Sequence, residues 1–294
     1  MKKALSIILS LTMILGVLAI APLTASAAVE GFTLPSIVEP QSVTVKEPKM
    51  TVYKDTIHLL SATVKPDNAE PKLVTWSSSN KSVALTVGNI LYAVAPGTAR
   101  LTAKTINGKT SVCTVTVLLY SPVVTKIASI NGVVRLNWDK VGGAAKYRVF
   151  CHDGTTWRKI ADTTATTYDH KRVVSGKKYT YTVRCVTKDG KQFTSDYNHK
   201  GWSITYVAAP QPPTLKNTKN GVQVSWKRVA GAAKYRVFRK VGSGEWIKLA
   251  DTDKAYLDKT AKNGVTYRYT VRCLNKNGKY VSAYTGGSAI KCKR

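Results

Sequence analysis

The side chains able to do chemistry are few and scattered. Four histidines (His58, His152, His170 and His199) and five cysteines (Cys113, Cys151, Cys185, Cys273 and Cys292) are the candidates for metal ligation or nucleophilic attack. No histidine stands in H-E-x-x-H and no cysteine pair in C-x-x-C, the spacings that aim two ligands at one ion. Asp162 and His170 fall in a segment that reads as a turn, and no G-x-S-x-G elbow supplies a nucleophile for them. No glycine-rich stretch opens a helix, as a phosphate cradle requires. With acids spread over turns, no acid–base pair assembles, so no catalytic residue, metal site or cofactor is expected.

The chemistry left is that of cations. Lys and Arg number 45 against 16 Asp and Glu, a formal net charge of +29. The excess grows along the chain. Residues 42–118 hold 9 basic and 4 acidic side chains, residues 119–209 hold 15 and 6, and residues 210–294 hold 19 and 4. Such a field attracts polyanions at long range. A strand turns alternate side chains to opposite faces. Lys146, Arg148 and Phe150 therefore oppose Tyr147 and Val149, and Lys234, Arg236 and Phe238 repeat the pattern. Arg184, Arg268 and Arg272 join these faces if the strands YTYTVRC and YRYTVRC lie alongside. The candidate ligand face is thus Lys146, Arg148, Arg184, Lys234, Arg236, Phe238, Arg268 and Arg272, since arginine offers a planar fork to carboxylate or phosphate. The plainer alternative is a solvated sheet face with cross-strand pairs.

The elements that position these residues are strands. Short runs rich in Val, Thr and Tyr alternate with Gly, Pro, Asn and Asp, and no window after the N-terminal segment keeps a helical period. NGK at 107–109, KDGK at 188–191 and KNGK at 276–279 signal tight turns. An internal repeat organises the C-terminal two thirds. At an offset of 88, Trp138 falls on Trp226, Tyr147 on Tyr235, Tyr179 on Tyr267 and Cys185 on Cys273, and AAKYRVF recurs at 144–150 and 232–238. That period suits a whole small domain copied in tandem.

Alternation makes Trp138, Trp226, Tyr179, Tyr267, Cys185 and Cys273 inward scaffold, and Trp76 is placed with them in the N-terminal domain. Trp157 and Trp246, which repeat at an offset of 89, are expected over the open edge of the core, and Trp202 is expected to be exposed. A Cys151–Cys185 bridge requires neighbouring strands, and the thiols are expected to be mostly reduced. The proline-rich stretch 208–214 is expected to hold the two copies apart.

Residues 1–27 read as a signal peptide, with Lys2 and Lys3, the apolar run Leu5–Ala21, and Ala25-Ser26-Ala27 for cleavage. Residues 28–41 read as a leader. The expected chain after cleavage meets a membrane nowhere else.

Residues 122–209 and 213–294 each resemble a fibronectin type III domain, on the early Trp, the YRV strand, the W-K-x-x-A-D-T block and the G-x-x-Tyr-x-Tyr-x-Val strand. The resemblance implies a tyrosine corner at Tyr179 and at Tyr267. The variant is similar to copies in exported clostridial surface proteins. Residues 42–118 resemble a bacterial immunoglobulin-like group 2 domain, on VKPDNAEPKLVTWSSSNKSVA, APGTARLTA and NGKTSVCTVTV, with Asp55 where that family often has Gly. The fold expected is all-β: three tandem Ig-like antiparallel β-sandwiches after the signal peptide. The expected role is an exported, non-enzymatic binding or adhesion protein, monomeric, secreted or wall-associated. It would engage an anionic cell-wall polymer, an acidic glycan or a host or bacterial surface, and no specific nucleic acid. The alternatives are a spacer without its own ligand or a piece of a larger surface enzyme. With neither sorting motif nor apolar anchor in the sequence, retention at a surface is expected to rest on charge.

Overall fold

A computed structural model describes residues 37–130, 132–152, 154–284 and 286–294. The expected signal peptide, residues 1–27, and most of the expected leader, residues 28–41, lie outside the described residues. Every regular element among the described residues is a β-strand, and no helix there is long and apolar enough to cross a membrane.

The N-terminal domain holds β1 (Ser42–Val45), β2 (Lys49–Tyr53), β3 (Ile57–Leu59), β4 (Ala62–Lys65), β5 (Val74–Ser78), β6 (Ala84–Val87), β7 (Ile90–Ala93), β8 (Gly97–Thr105) and β9 (Thr110–Leu118). They form sheets in the orders β2-β9-β8-β5 and β3-β7-β6, with β1 paired to β4. The β2–β9 ladder is parallel and the other ladders of this domain are antiparallel. Alternation builds the core: Ala99, Leu101 and Ala103 of β8 face inward with Cys113, Val115 and Val117 of β9. Trp76 is half-buried, packed on this core from its rim rather than enclosed in it. Asp55 takes a φ of +66°, the left-handed region where Gly is most at ease and Asp is tolerated.

The first repeat comprises β10 (Val124–Ile130), β11 (Val133–Trp138), β12 (Lys146–His152), β13 (Trp157–Thr163), β14 (Thr167–His170), β15 (Lys178–Val186) and β16 (Trp202–Thr205). The second comprises β17 (Thr214–Thr218), β18 (Gly221–Ser225), β19 (Lys234–Val241), β20 (Ile247–Thr252), β21 (Tyr256–Asp258), β22 (Thr266–Leu274), β23 (Tyr280–Tyr284) and β24 (Ser288–Lys291). A three-stranded sheet, β10-β11-β14, packs on a four-stranded one, β13-β12-β15-β16. The second repeat matches it with β17-β18-β21 and β20-β19-β22-β23, β24 also pairing with β22. Asp162 and His170, expected in a turn, lie in β13 and β14, because the turn between these strands is shorter than its Thr-rich composition suggests.

Between the sheets lie Val134, Leu136 and Trp138 against Tyr147, Val149, Tyr181, Val183 and Cys185, all buried. Trp138 is 3% exposed and meets Tyr147 edge-on at 5.6 Å. Its counterpart Trp226 is only half-buried, 5.2 Å from Tyr235. The hydroxyl of Tyr179 accepts from Val174 N at 2.9 Å, and that of Tyr267 from Lys262 N at 3.0 Å, which makes both tyrosine corners. Trp202 is half-buried against the first repeat's core rather than exposed, because β16 pairs with β15 and carries it there. Cys113, Cys185, Cys273 and Cys292 are buried, free thiols. Cys151 faces Tyr181 and Cys185 faces Tyr147 on adjacent strands. Four residues of strand separate them, roughly 13 Å, about twice the reach of a disulfide.

The copies are packed, not held apart. Val207 is buried with Tyr235 and Cys273 of the second repeat. Ser175 Oγ donates to Ala230 O at 2.8 Å and accepts from Ala208 N at 3.0 Å. A methyl group on Gly231 would come within 3.0 Å of Gly176 Cα, so the backbones meet only because both residues lack a Cβ. The residue after β9, Leu119, is buried in the first repeat's core and donates from its N to Thr194 O at 2.7 Å, leaving no slack at that junction either.

Trp138→Ala should lower stability by about 3–5 kcal/mol and Trp226→Ala by less. The shift in the urea-unfolding midpoint checks the order.

Candidate functional site

The strand register sets opposed cations side by side. Arg148 pairs directly with Arg184 across β12 and β15, and Arg236 with Arg272 across β19 and β22. Like charges directly opposed destabilise a sheet. A third strand relieves them. Asp162 of β13 accepts from Arg148 Nε and Nη2 at 2.7 and 2.9 Å, and Asp251 of β20 accepts from Arg236 at 2.6 and 2.7 Å. Lys159 and Lys248 add to these pairs at 2.7 and 3.0 Å. The hydrogen bonds from Arg236 hold Asp251 down at about 2, and those from Arg148 hold Asp162 lower still.

The second arginine of each pair turns onto aromatic rings. Arg184 donates to Ser195 O at 2.9 and 3.1 Å, and its guanidinium lies 3.8 Å from the Phe193 ring centre and 5.1 Å from that of Tyr197. Arg272 donates to Ser282 O at 2.7 Å and lies 3.9 Å from Tyr280 and 5.9 Å from Tyr284. Lys146 and Lys234 sit at the end of each face, and Arg268 pairs with Lys240 at the far end of the second. The eight candidate residues thus share equivalent outer faces. The forks of Arg148 and Arg236, however, are engaged inside the fold.

Beside each stacked arginine is a cleft. The first, 230 Å³, is lined by Phe150, Trp157, Thr182, Arg184, Phe193 and Tyr197. The second, 150 Å³, is lined by Phe238, Trp246, Thr270, Arg272 and Tyr284. Trp157 and Trp246 therefore flank the outer clefts and do not cover the core edge. The pairing of His152 with Trp157 turns that ring to the outer face, where the two side chains meet at 5.3 Å. A uniform offset of 88 hides the likeness: the Trp pair repeats at 89, while Phe193–Tyr280 and Tyr197–Tyr284 repeat at 87. Loops changed length, and the rings returned to the same place.

Among the described residues no three His, Cys, Asp or Glu stand together to hold a metal ion. Asp162 lies on the outer face, whereas the His170 ring packs inside, its Nδ1 2.9 Å from the Tyr181 hydroxyl. Burial alone lowers the His170 pKa. At the same offset of 88, His170 becomes Asp258, Cys151 becomes Arg239, and Tyr181 becomes Tyr269. Asp258 is fully buried and accepts from Arg239 Nη1 and Tyr269 OH, both at 2.7 Å, and from Thr260 N at 2.9 Å. Burial raises its pKa, but the bonds from Thr260, Tyr269 and Arg239 outweigh that and leave it lowered. A neutral trio in one repeat is thus a charged trio in the other.

Comparison with known proteins adds a family for the first domain. Residues 40–116 match the bacterial Ig-like domain, group 2. Domains of this family are typical of extracellular and surface proteins. The chain is 37% identical over 81 residues to a minor capsid protein of Enterobacteria phage T3, covering 28% of this chain and 18% of that protein. It is 40% identical over 74 residues to an alpha-L-arabinofuranosidase of Bifidobacterium longum subsp. longum, covering 25% of this chain and 7% of that protein. The chain thus spans less than a fifth of either relative. Over 87% of its length it aligns with all of a structure of chicken CNTN1 FN1–FN3 domains, at 13% identity and a TM-score of 0.32.

Breaking the buried pair in the second repeat by Arg239→Cys should cost about 3–5 kcal/mol. The double variant Arg239→Cys with Asp258→His should recover most of it, giving a coupling above about 1 kcal/mol in a double-mutant cycle. The two repeats should also differ in acid. Folding favours neutral His170, so its contribution is complete above about pH 6.5 and fades as pH falls through the lower folded value. The contribution of Asp258 is complete above the ordinary carboxylate value and fades only below it. Melting temperatures should therefore start to fall near pH 6.5, and His170→Asn should flatten that first slope.

Proposed function

We propose that this protein is an exported, non-enzymatic binding module that holds an anionic polymer or glycan against the outer faces of its two fibronectin-like sheets. The observation that carries this reading is the recurrence of one cationic face on both repeats, Lys146, Arg148 and Arg184 answering to Lys234, Arg236 and Arg272 in paired register. Since Asp162 and Asp251 neutralise one arginine in each pair, the charge left on each face comes from the second arginine and from lysine, and the chain's excess of Lys and Arg supplies the long-range attraction. The group 2 Ig-like domain supports placement outside the cell.

A second reading, a spacer without its own ligand, draws support from the packed junction at Val207 and Gly231. Washing cells in high salt separates the two, because a charge-held protein is released whereas a spacer already lies in the medium.

Binding to immobilised polygalacturonate should weaken steeply between about 0.05 and 0.5 M salt. Replacing Lys146 and Lys234 of the two faces, together with Lys191 and Lys279 of the turns that follow β15 and β22, by Gln should weaken it more than replacing Lys46, Lys72, Lys81 and Lys109 of the first domain. Surface plasmon resonance makes the comparison, and equal losses would reduce the effect to net charge.

A further inference from the structure

The outer faces hold more apolar ring than a solvated sheet needs. Phe193 is 41% exposed, Tyr280 42% and Tyr284 53%, and Phe150, Trp157, Phe238 and Trp246 are half-buried beside them. Tryptophan at a sheet surface is expensive to leave in water, yet the set recurs although three different offsets separate its members. The recurrence needs an account that the cores do not supply, because these rings face away from them.

The chemistry of the clefts narrows the occupant. Rings grouped around a cation position normally select a cationic ligand. Here Arg184 and Arg272 already stand over those rings, fixed by Ser195 O and Ser282 O, and Arg148, Arg236 and Lys240 lie 5.7 Å from Phe193, 5.0 Å from Tyr280 and 5.3 Å from Trp246, so the chain's own cations fill those positions. The guanidiniums of Arg184 and Arg272 lack a counter-charge. Arg148 and Arg236 have Asp162 and Asp251, but among the described residues Arg184 and Arg272 have no carboxylate within ion-pair distance, Asp196 acting on Arg184 only from farther away. Burial lowers the Arg184 pKa, as expected of a cation with its partner missing. At 230 and 150 Å³ the clefts are small, on the scale of a single ring. His152 meets Trp157 edge-on and Lys240 stands over Trp246; the indole surface they leave takes the C–H face of a sugar, and an uncompensated guanidinium takes a carboxylate in a fork.

Deepening the proposed function, on which it rests, we infer that each fibronectin-like repeat binds one uronic-acid residue of an acidic polysaccharide. The sugar ring lies on Trp157 or Trp246, and its carboxylate meets Arg184 or Arg272. Two such clefts on one chain bind a polyuronate through two of its residues, and avidity multiplies a weak single contact.

The test titrates trigalacturonate into the full chain by calorimetry and by indole fluorescence, and measures polygalacturonate and polyphosphate by surface plasmon resonance. Polyphosphate matches the charge but has no ring to stack. The expected result is two trigalacturonate sites in the parent chain, one in Trp157→Ala or Trp246→Ala, and none in the double variant. Trp157→Phe should keep its site, which separates a lost platform from a lost fold. Polygalacturonate affinity should fall at least about tenfold in the double variant, with polyphosphate affinity within about twofold. Unchanged trigalacturonate stoichiometry in the double variant, with both polymers still bound, would overturn the cleft and leave the charged-face reading standing. Binding of neither polymer by the parent chain would overturn that reading, and the cleft with it.

Discussion

The two-residue alternation along four central strands governs this molecule. In β12 and β15 the register pairs Tyr147 with Cys185, Arg148 with Arg184 and Val149 with Val183. In β19 and β22 it pairs Tyr235 with Cys273, Arg236 with Arg272 and Val237 with Val271. Each odd step goes into the core and each even step goes to water. A slip of one residue would drive two arginines inward and turn out the tyrosines that seal the sandwich. The core and the cationic face are therefore two readings of one ladder, and neither changes without the other. Directly opposed arginines are unfavourable taken alone. The third strand's aspartate and the aromatic rings make them tolerable, and so the bulge that aims β13 belongs to the same arrangement.

Comparing the repeats separates what the fold needs from what it permits. Both keep Tyr181 or Tyr269 buried at the centre, yet the hydroxyl meets His170 in one and Asp258 in the other. The residue across from it, Cys151 or Arg239, changes in step. A buried acid without Arg239 would carry an uncompensated charge, and Arg239 without an acid would be as costly. The exchange is coherent because both partners moved together. The outer aromatic set behaves in the opposite way: its sequence spacing drifts while its place is kept.

Much of the fold was legible because a period of two is a strong signal. It placed Trp138, Tyr179, Tyr267, Cys185 and Cys273 inside, and it put Lys146, Arg148, Lys234 and Arg236 on the opposite face. What it missed has physical causes. Trp157 and Trp246 lie past a bulge, where alternation counted along the strand no longer tells which face a ring takes. Phe193, Tyr197, Tyr280 and Tyr284 sit after loops that differ by one residue, so a rigid offset of 88 never aligned them. The packing at Val207 was hidden because a proline-rich stretch suggests extension but carries no information about its neighbours; the small pair Gly176 and Gly231 was the overlooked cue. Half-burial of Trp76 and Trp226 depends on how far a sheet edge extends, which residue type alone does not encode.

Hydroxyl-radical footprinting of the intact chain, read residue by residue by mass spectrometry, tests the central division between inner and outer rings most directly. The account predicts strong labelling of Trp157, Trp246, Phe193, Tyr280 and Tyr284, with Trp138, Tyr181 and Tyr269 protected until the chain unfolds. Protection of the first group together with ready labelling of Trp138 and Tyr181 would contradict it.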